Sequence, residues 1–330
     1  MVYLESPSTD AYFNLALEQY VFDRLPRDKA YFMLWQNDNA VIVGKYQNTA
    51  REINAAFVRE RGIKVVRRLS GGGAVYHDLG NLNFTIIVDA AEEGKLDLAY
   101  FTAPLVAALK HFNVDAQATG RNDITIDGAK FSGNAQYVKN GRVMHHGTIL
   151  YDSDISVVSA ALSPQEDKFQ DKSVRSVRSR VTNLRPYLGG ATLADLKAAF
   201  AAEMARGGGT ALENHPFTDE DIAAAQQISR ERYASWDWNY GQSPAYQREK
   251  RRRIPEVGTI EAHLSSEDGR ITAFKTYGDY FGEGDTPDLL ERILGAPLEE
   301  GALLNAIRGL DVGRFYHNMT GEAFVRLLVE

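Results

Sequence analysis

The sequence contains no cysteine. That absence removes disulfides, thiolate metal sites and any thiol nucleophile from the chemistry open to this chain. No window approaches the roughly 20 apolar residues that a membrane-spanning helix needs. The first residues, Met1 to Gln19, lack a basic segment leading into an uninterrupted apolar stretch. The expectation is a soluble, cytoplasmic protein with no membrane partner. Positive charge is also in short supply: 37 Lys and Arg stand against 44 Asp and Glu, a net charge of −7. Nucleic acid is therefore not an expected partner, because phosphate neutralisation needs a basic face. An internal repeat and a regular strand–helix alternation are missing too, which sets aside solenoids and doubly wound parallel sheets.

What is present is an ordinary globular composition, 44% hydrophobic and 25% charged over 330 residues, enough for a large domain and a small one. Thr9 or Asp10 can cap a helix whose apolar face reads Phe13, Leu17, Tyr20 and Val21. Tyr31 to Trp35 and Ala40 to Gly44 read as strands, with Gln36 to Asn39 as the turn of a hairpin. Asp127-Gly128 and Asn140-Gly141 separate three further strands and are type I′ hairpin signals. These features predict an α+β fold built on a mixed sheet. The aromatic cluster from Trp236 to Pro244 gives way to the charged run Arg248 to Arg253, which reads as a linker. The boundary placed there gives a catalytic domain over 1–245 and a small α+β domain over 246–330.

The stretch from Arg67 to Asp78 carries most of the chemistry. Gly71, Gly72 and Gly73 let backbone approach a ligand closely, and Arg67 and Arg68 supply charge for a phosphate or carboxylate. No Gly-Lys-Ser/Thr ending follows, and the next residues look like a strand, so this is not a Walker loop. A tight hairpin with surface arginines is the plain alternative. Gly120-Arg121-Asn122-Asp123 with Lys130 in the next strand could equally be a solvated turn. His145 and His146 are neighbours in a strand, so they face opposite sides and do not share one metal ion.

Taken in order, the run from Arg67 to Asn81, the Gly120 to Asp123 run with Lys130, and His145-His146-Gly147-Thr148 resemble the lipoate–protein ligase family. The likeness extends to Leu34-Trp35, Gln47-Asn48, the segment from Ser176 to Asn183 and the Trp-Tyr-Gly cluster before the charged run. It implies a large mixed-sheet catalytic domain of the biotin/lipoate ligase type followed by a small accessory domain. It also implies ATP and magnesium as cofactors, lipoic acid as substrate, and lipoyl-AMP as intermediate. The implied partners are the lipoyl domains of 2-oxoacid dehydrogenase acyltransferase subunits and the glycine-cleavage H protein.

On that resemblance Arg68, Ser70, Gly71, Gly72, Gly73, Val75 and Tyr76 hold ATP and the adenylate. Arg178 and Arg180 join them from a cationic loop, Lys168 to Arg185. Leu17, Trp35, Arg68, Gly73, His77 and His146 hold lipoate, with Trp35 as an apolar gate over the tail and His77 near the activated carboxyl. Chemistry selects the catalytic lysine: a carboxylate and an α-phosphate are both anions, and a cation at their junction is the expected electrostatic catalyst. Lys130 fills that role, with Asn122 and Asp123 positioning it and Asp123 a candidate magnesium ligand. Transferases of the same superfamily that pass the acyl group through a cysteine are excluded. A biotin-type ligase, or a non-catalytic ligand-binding repressor that kept the fold, is the alternative.

Overall fold

In the computed structural model the described residues are 1–89, 98–119, 122–162, 181–209, 211–240, 248–267, 269–282 and 286–329. Among them the strands are β1 (Val2–Glu5), β2 (Tyr31–Trp35), β3 (Ala40–Val43), β4 (Lys64–Arg67), β5 (Val75–His77), β6 (Asn81–Asp89) and β7 (Gln117–Thr119). There follow β8 (Asp123–Ile126), β9 (Ala129–Lys139), β10 (Arg142–Leu150), β11 (Glu213–Asn214), β12 (Arg248–Ile254), β13 (Gly258–Glu267) and β14 (Arg270–Gly278). They form an eight-stranded mixed sheet of order β11-β1-β2-β6-β10-β9-β8-β7, a small sheet β4-β3-β5, and a third sheet β12-β13-β14.

Alternation divides the large sheet into two faces. Leu82, Phe84 and Ile86 of β6 and Val143 and Ile149 of β10 point into a core covered by the helices Leu98–Lys110 and Leu193–Gly207. The intervening residues Asn83, Thr85, His146 and Thr148 face the other way, toward helix Ala11–Arg24 and the small sheet. That helix starts where Asp10 accepts a hydrogen bond from the Phe13 amide, a cap contributing about 1 kcal/mol. Asp127-Gly128 and Asn140-Gly141 all have positive φ, 50° and 76°, then 51° and 73°, which matches the twist of the paired strands they join.

Two expectations are corrected. β2 and β3 are not a hairpin: β2 pairs with β1 and β6 in the large sheet, whereas β3 pairs with β4 and β5. The turn between them carries the chain from one sheet to the other. Nor is the run from Arg248 to Arg253 a linker. It is β12, paired along its length with β13. Arg251, Arg252 and Arg253 are exposed on an edge strand, where charge discourages further strand pairing, and Lys250 Nζ donates to the Leu328 carbonyl. Behind this sheet lies a separate core of Ile260, Leu264, Phe274, Tyr280, Leu303, Phe315 and Phe324, into which Tyr46 also packs. No helix among the described residues is long and apolar enough to cross a membrane.

Candidate active site

Between the large and small sheets lies a cavity of about 120 Å³. Trp35, Asn83, Thr148, His146, Ala135 and Gly133 come to it from the large sheet; Ile42, Arg68, Gly73, Val75 and His77 come from the small one or its loop; Leu15 closes it from the helix. Asn122 and Lys130 stand at its β8–β9 end.

Lys130 is aimed by an irregularity in its own hairpin. The pairing of β8 and β9 slips between Ile124 and Thr125, so that Asp123 faces Gly133 while Thr125 faces Lys130. Such a bulge redirects the side chain beside it. The ammonium then lies 2.7 Å from Asp123 Oδ1. Gly133 leaves it room: a Cβ there would stand 2.9 Å from Lys130 Nζ. Asn122 fastens the hairpin, its Nδ2 donating to the Asn134 carbonyl at 3.0 Å while its own carbonyl accepts from the Asn134 amide at 2.9 Å. The Lys130 carbonyl accepts from Thr182 N at 2.8 Å. This ties the lysine to the far end of the cationic stretch. Arg178 and Arg180 themselves lie outside the described residues.

The two arginines of the glycine-rich run are buried and do different work. Arg67 donates to the carbonyls of Gly44, Lys45, Gln47, Trp238 and Asn239 and to Thr49 Oγ1. It binds together segments remote in sequence. Arg68 lines the cavity, but it donates to Ser70 Oγ (3.0 Å) and to the carbonyls of Ile42 (3.3 Å), Gly71 (2.6 Å) and Gly73 (2.9 Å). Three of its five N–H groups thus shape the loop and a fourth anchors it to β3. Burial brings both guanidinium pKa values down to about 10, which leaves each charged at neutral pH.

A buried chain of hydrogen bonds supports the cavity wall. Trp35 Nε1 donates to Thr85 Oγ1 (2.9 Å), which donates to Glu18 Oε1 (2.6 Å); Glu18 Oε1 also meets His146 Nδ1 (2.8 Å), and His146 Nε2 meets Ser70 Oγ (2.5 Å). Glu18 is 1% exposed. It fixes Trp35, His146 and Ser70 together, and nothing in its helical spacing had marked it. His145 points the other way, sandwiched between Phe84 and Phe101, and desolvation holds its pKa well below the usual histidine value. His77 packs edge-on against Trp35 at 6.2 Å between ring centroids. Burial first, then Arg68 and His146, lowers its pKa to about 3.

The structure thus gathers Trp35, Arg68, Gly73, Val75, His77, Asn122, Lys130 and His146 around one cavity. Leu17 does not line it. At 100° per helical residue, Leu15 turns toward the cavity and Leu17 into the surrounding core. Tyr76 also faces away, into the cluster behind the small sheet, with its hydroxyl donating to Asn39. Gly71 and Gly72 meet the third sheet's end: Gly72 N donates to the Tyr280 carbonyl at 3.2 Å, and a Cβ on Gly71 would lie 2.2 Å from that oxygen. Gly73 has open space where a Cβ would be. Sequence reasoning missed Leu15, Ile42, Asn83, Asn134 and Thr148. Alternation along β6 and β10 from the two histidines could have found Asn83 and Thr148.

Asp123, the candidate metal ligand, belongs to no cluster of three ligating groups among the described residues. Among the described residues, three close ligand groups occur together at Glu249, Glu261 and His263, in the third sheet.

Residues 10–205 match the model of the lipoyl protein ligase A/B catalytic domain, and residues 243–328 that of the bacterial lipoate protein ligase C-terminus. The chain is 38% identical to lipoate-protein ligase LplJ of Bacillus subtilis, covering 99% of this chain and 100% of that one. Its fold is similar to that of P. falciparum LipL1 in complex with lipoate, with TM-score 0.81 at 23% identity over 99% and 98% of the two chains. It is also similar to a bipartite lipoate protein ligase of Thermoplasma acidophilum, studied with its E2 lipoyl domain. There the TM-score is 0.66 at 25% identity, over 74% of this chain and 98% of that one.

Proposed function

The chain belongs to the lipoate–protein ligase family, and from that premise we propose that its cavity holds lipoate with the carboxylate beside Lys130, joins it to ATP as lipoyl-AMP, and passes the lipoyl group to a lysine of an acceptor protein. The observation that carries this reading is the place of Lys130, a positioned cation at one end of a cavity with apolar walls.

In the first step a carboxylate oxygen of lipoate attacks the α-phosphorus, the bond to the β-phosphate breaks, and pyrophosphate leaves. Lys130 offsets the repulsion between the two anions. In the second step the acceptor amine attacks the acyl carbon, the bond to AMP breaks, and the amine gives up a proton. Lys130 then stabilises the oxyanion, a donor role worth about 10²–10³ in rate. Asp123 holds the ammonium in place, and Asn122 holds the hairpin that presents it. The Glu18 chain keeps Trp35 and His146 fixed along the tail, so the substrate meets a preorganised wall.

Magnesium fits this donor set as a shared ion. Asp123 offers one carboxylate, and Mg²⁺ commonly takes one or two carboxylates with phosphate oxygens and water completing its shell; it would supply charge neutralisation for pyrophosphate. Arg178 and Arg180 cover the adenylate on sequence grounds. The acceptors are lipoyl domains, those of 2-oxoacid dehydrogenase acyltransferase subunits and the H protein among them, and the reaction runs in the cytoplasm. Residues 246–330 act as an accessory domain to the catalytic 1–245.

Incubating the protein with lipoate, ATP, magnesium and an isolated lipoyl domain tests the whole sequence of events. The domain should gain the mass of one lipoyl group, and biotin should not substitute. A domain that stays unmodified while lipoate and ATP remain unchanged refutes the reading.

A further inference from the structure

Two buried hydrogen-bond donors in the cavity meet no acceptor among the described residues. His77 and Asn83 are 3% and 1% exposed, both line the cavity, and His77 Nε2 and Asn83 Nδ2 have no hydrogen-bond partner among those residues. The proton on His77 is directed from outside the cavity. Asn14 Nδ2 donates to the carbonyls of Ser8 (2.9 Å) and Gln36 (2.8 Å) and to Asn37 Oδ1 (2.9 Å). The Asn37 amide oxygen therefore faces Asn14, and its nitrogen donates to His77 Nδ1 at 3.1 Å. With Nδ1 an acceptor, a neutral imidazole carries its hydrogen on Nε2. Burial keeps the ring neutral. At Asn83 the amide oxygen accepts from Asn81 Nδ2 at 2.9 Å, which leaves its nitrogen for the cavity.

Strand register locates these donors relative to Lys130. Trp35 faces Asn83 across β2 and β6, and Asn83 faces Thr148 across β6 and β10. Thr148 Oγ1 accepts from Gly133 N at 3.2 Å across β10 and β9, and Gly133 lies under the Lys130 ammonium. With neighbouring strands about 4.8 Å apart, Asn83 is roughly 10 Å and Trp35 roughly 15 Å across the sheet from Gly133. A lipoate whose carboxylate is at Lys130 spans this row, so its five-membered disulfide ring arrives among Asn83, Trp35 and His77. His77 thus belongs to the Trp35 end of the cavity and not to the carboxyl end.

We infer that His77 and Asn83 are specificity residues for the acyl tail, whose two N–H donors favour the sulfur-bearing ring of lipoate over a hydrocarbon end such as that of octanoate. The inference rests on the reading of the cavity as a lipoate site. A disulfide sulfur is a polarisable, weak acceptor, and it partly satisfies a donor that would otherwise lose its water on binding. A hydrocarbon tail displaces the same water and returns no hydrogen bond. Sites with polar groups built to meet a ligand discriminate against analogues that leave those groups unpaired.

The most direct test needs no variant. Lipoate is compared with 5-cyclopentylpentanoate, which keeps the ring and chain but replaces both sulfurs with carbon, in acid-dependent exchange of pyrophosphate into ATP. The wild-type kcat/KM should favour lipoate about tenfold, and octanoate should fall with the cyclopentyl acid. Asn83→Leu and His77→Phe should each collapse that ratio toward one, whereas His77→Gln, which keeps an N–H donor, should retain most of it. A wild-type ratio within twofold of one, or a ratio unchanged in both apolar variants, overturns the assignment while leaving the lipoate reading intact. A wild type that exchanges with none of the three acids overturns the lipoate reading and this inference with it.

Discussion

Replacing Gly133 by alanine probes the catalytic lysine without touching it. The added Cβ would stand 2.9 Å from Lys130 Nζ and 3.0 Å from its Cε, well inside the separation of about 3.5–4.0 Å at which nonbonded atoms rest. The ammonium is the far end of a flexible side chain, so it yields by roughly 0.5–1 Å at little cost to folding. Its place beside Asp123, now 2.7 Å away, is what it gives up. A misplacement of about 1 Å at a reacting centre costs as much as 10²-fold. Gly133→Ala should therefore slow lipoate-dependent pyrophosphate exchange by about 10- to 100-fold, with a melting temperature within about 2 °C of wild type. Because the two residues act at one point, Lys130→Ala with Gly133→Ala should be no slower than Lys130→Ala alone. Exchange within twofold of wild type in the folded Gly133→Ala protein would refute the placement of Lys130.

Glu18→Ala strands the Thr85 hydroxyl and the His146 Nδ1 group, at about 1–3 kcal/mol for each buried group left unpaired; urea unfolding should show that loss, and an unchanged midpoint would deny the chain its structural role. His77 is held to about 3 in the folded protein against about 6.5 unfolded. The unfolded chain thus binds the extra proton, and stability falls as pH drops from about 6.5 toward 3, by up to about 1.4 kcal/mol per pH unit. His77→Gln should flatten that part of the stability profile, and an identical profile would contradict the burial of the neutral imidazole. Tyr46 stacks on Tyr280 at 4.6 Å, close to where Tyr280 meets the glycine loop. Tyr46→Ala should impair lipoyl-AMP formation more than transfer from preformed lipoyl-AMP, and equal loss in single-turnover assays of the two steps would speak against a selective role for the docked domain.

Local signals in the sequence were reliable wherever a local force decides the outcome. The Asp127-Gly128 and Asn140-Gly141 turns and the Asp10 cap are fixed by backbone geometry within a few residues. The jump of Gln36 to Asn39 between sheets was invisible, because the partners of β2 lie at β1 and β6, and a polar four-residue turn looks the same whether or not its strands pair. The charged run at β12 misled for a similar reason: an edge strand with solvent on one side tolerates the same composition as a linker. At the site, motif residues located Lys130, Trp35 and His146, but Glu18 and Asn37 act through buried hydrogen bonds between distant segments, and Asn83 reaches the cavity through the register of β6 with its neighbours. A glutamate one turn from Leu15 on a mostly apolar helix carries no spacing signal for the histidine it holds 128 positions away. Gly71 and Gly72 show a further ambiguity, since the same lack of a side chain that would admit a ligand here admits the Tyr280 carbonyl at Gly71 and the Arg68 guanidinium and Phe281 ring at Gly72.

The central claim, that Lys130 joins a lipoate carboxylate to the α-phosphate of ATP, is tested most directly by pyrophosphate exchange in wild type and Lys130→Ala. Exchange requires reversible adenylation, so it isolates this step from acceptor recognition. The wild type should incorporate labelled pyrophosphate into ATP only when lipoate is present, and Lys130→Ala, folded by circular dichroism, should lose about 10²–10³ of that rate. Lipoate-dependent exchange at a near-normal rate in the variant would contradict the account.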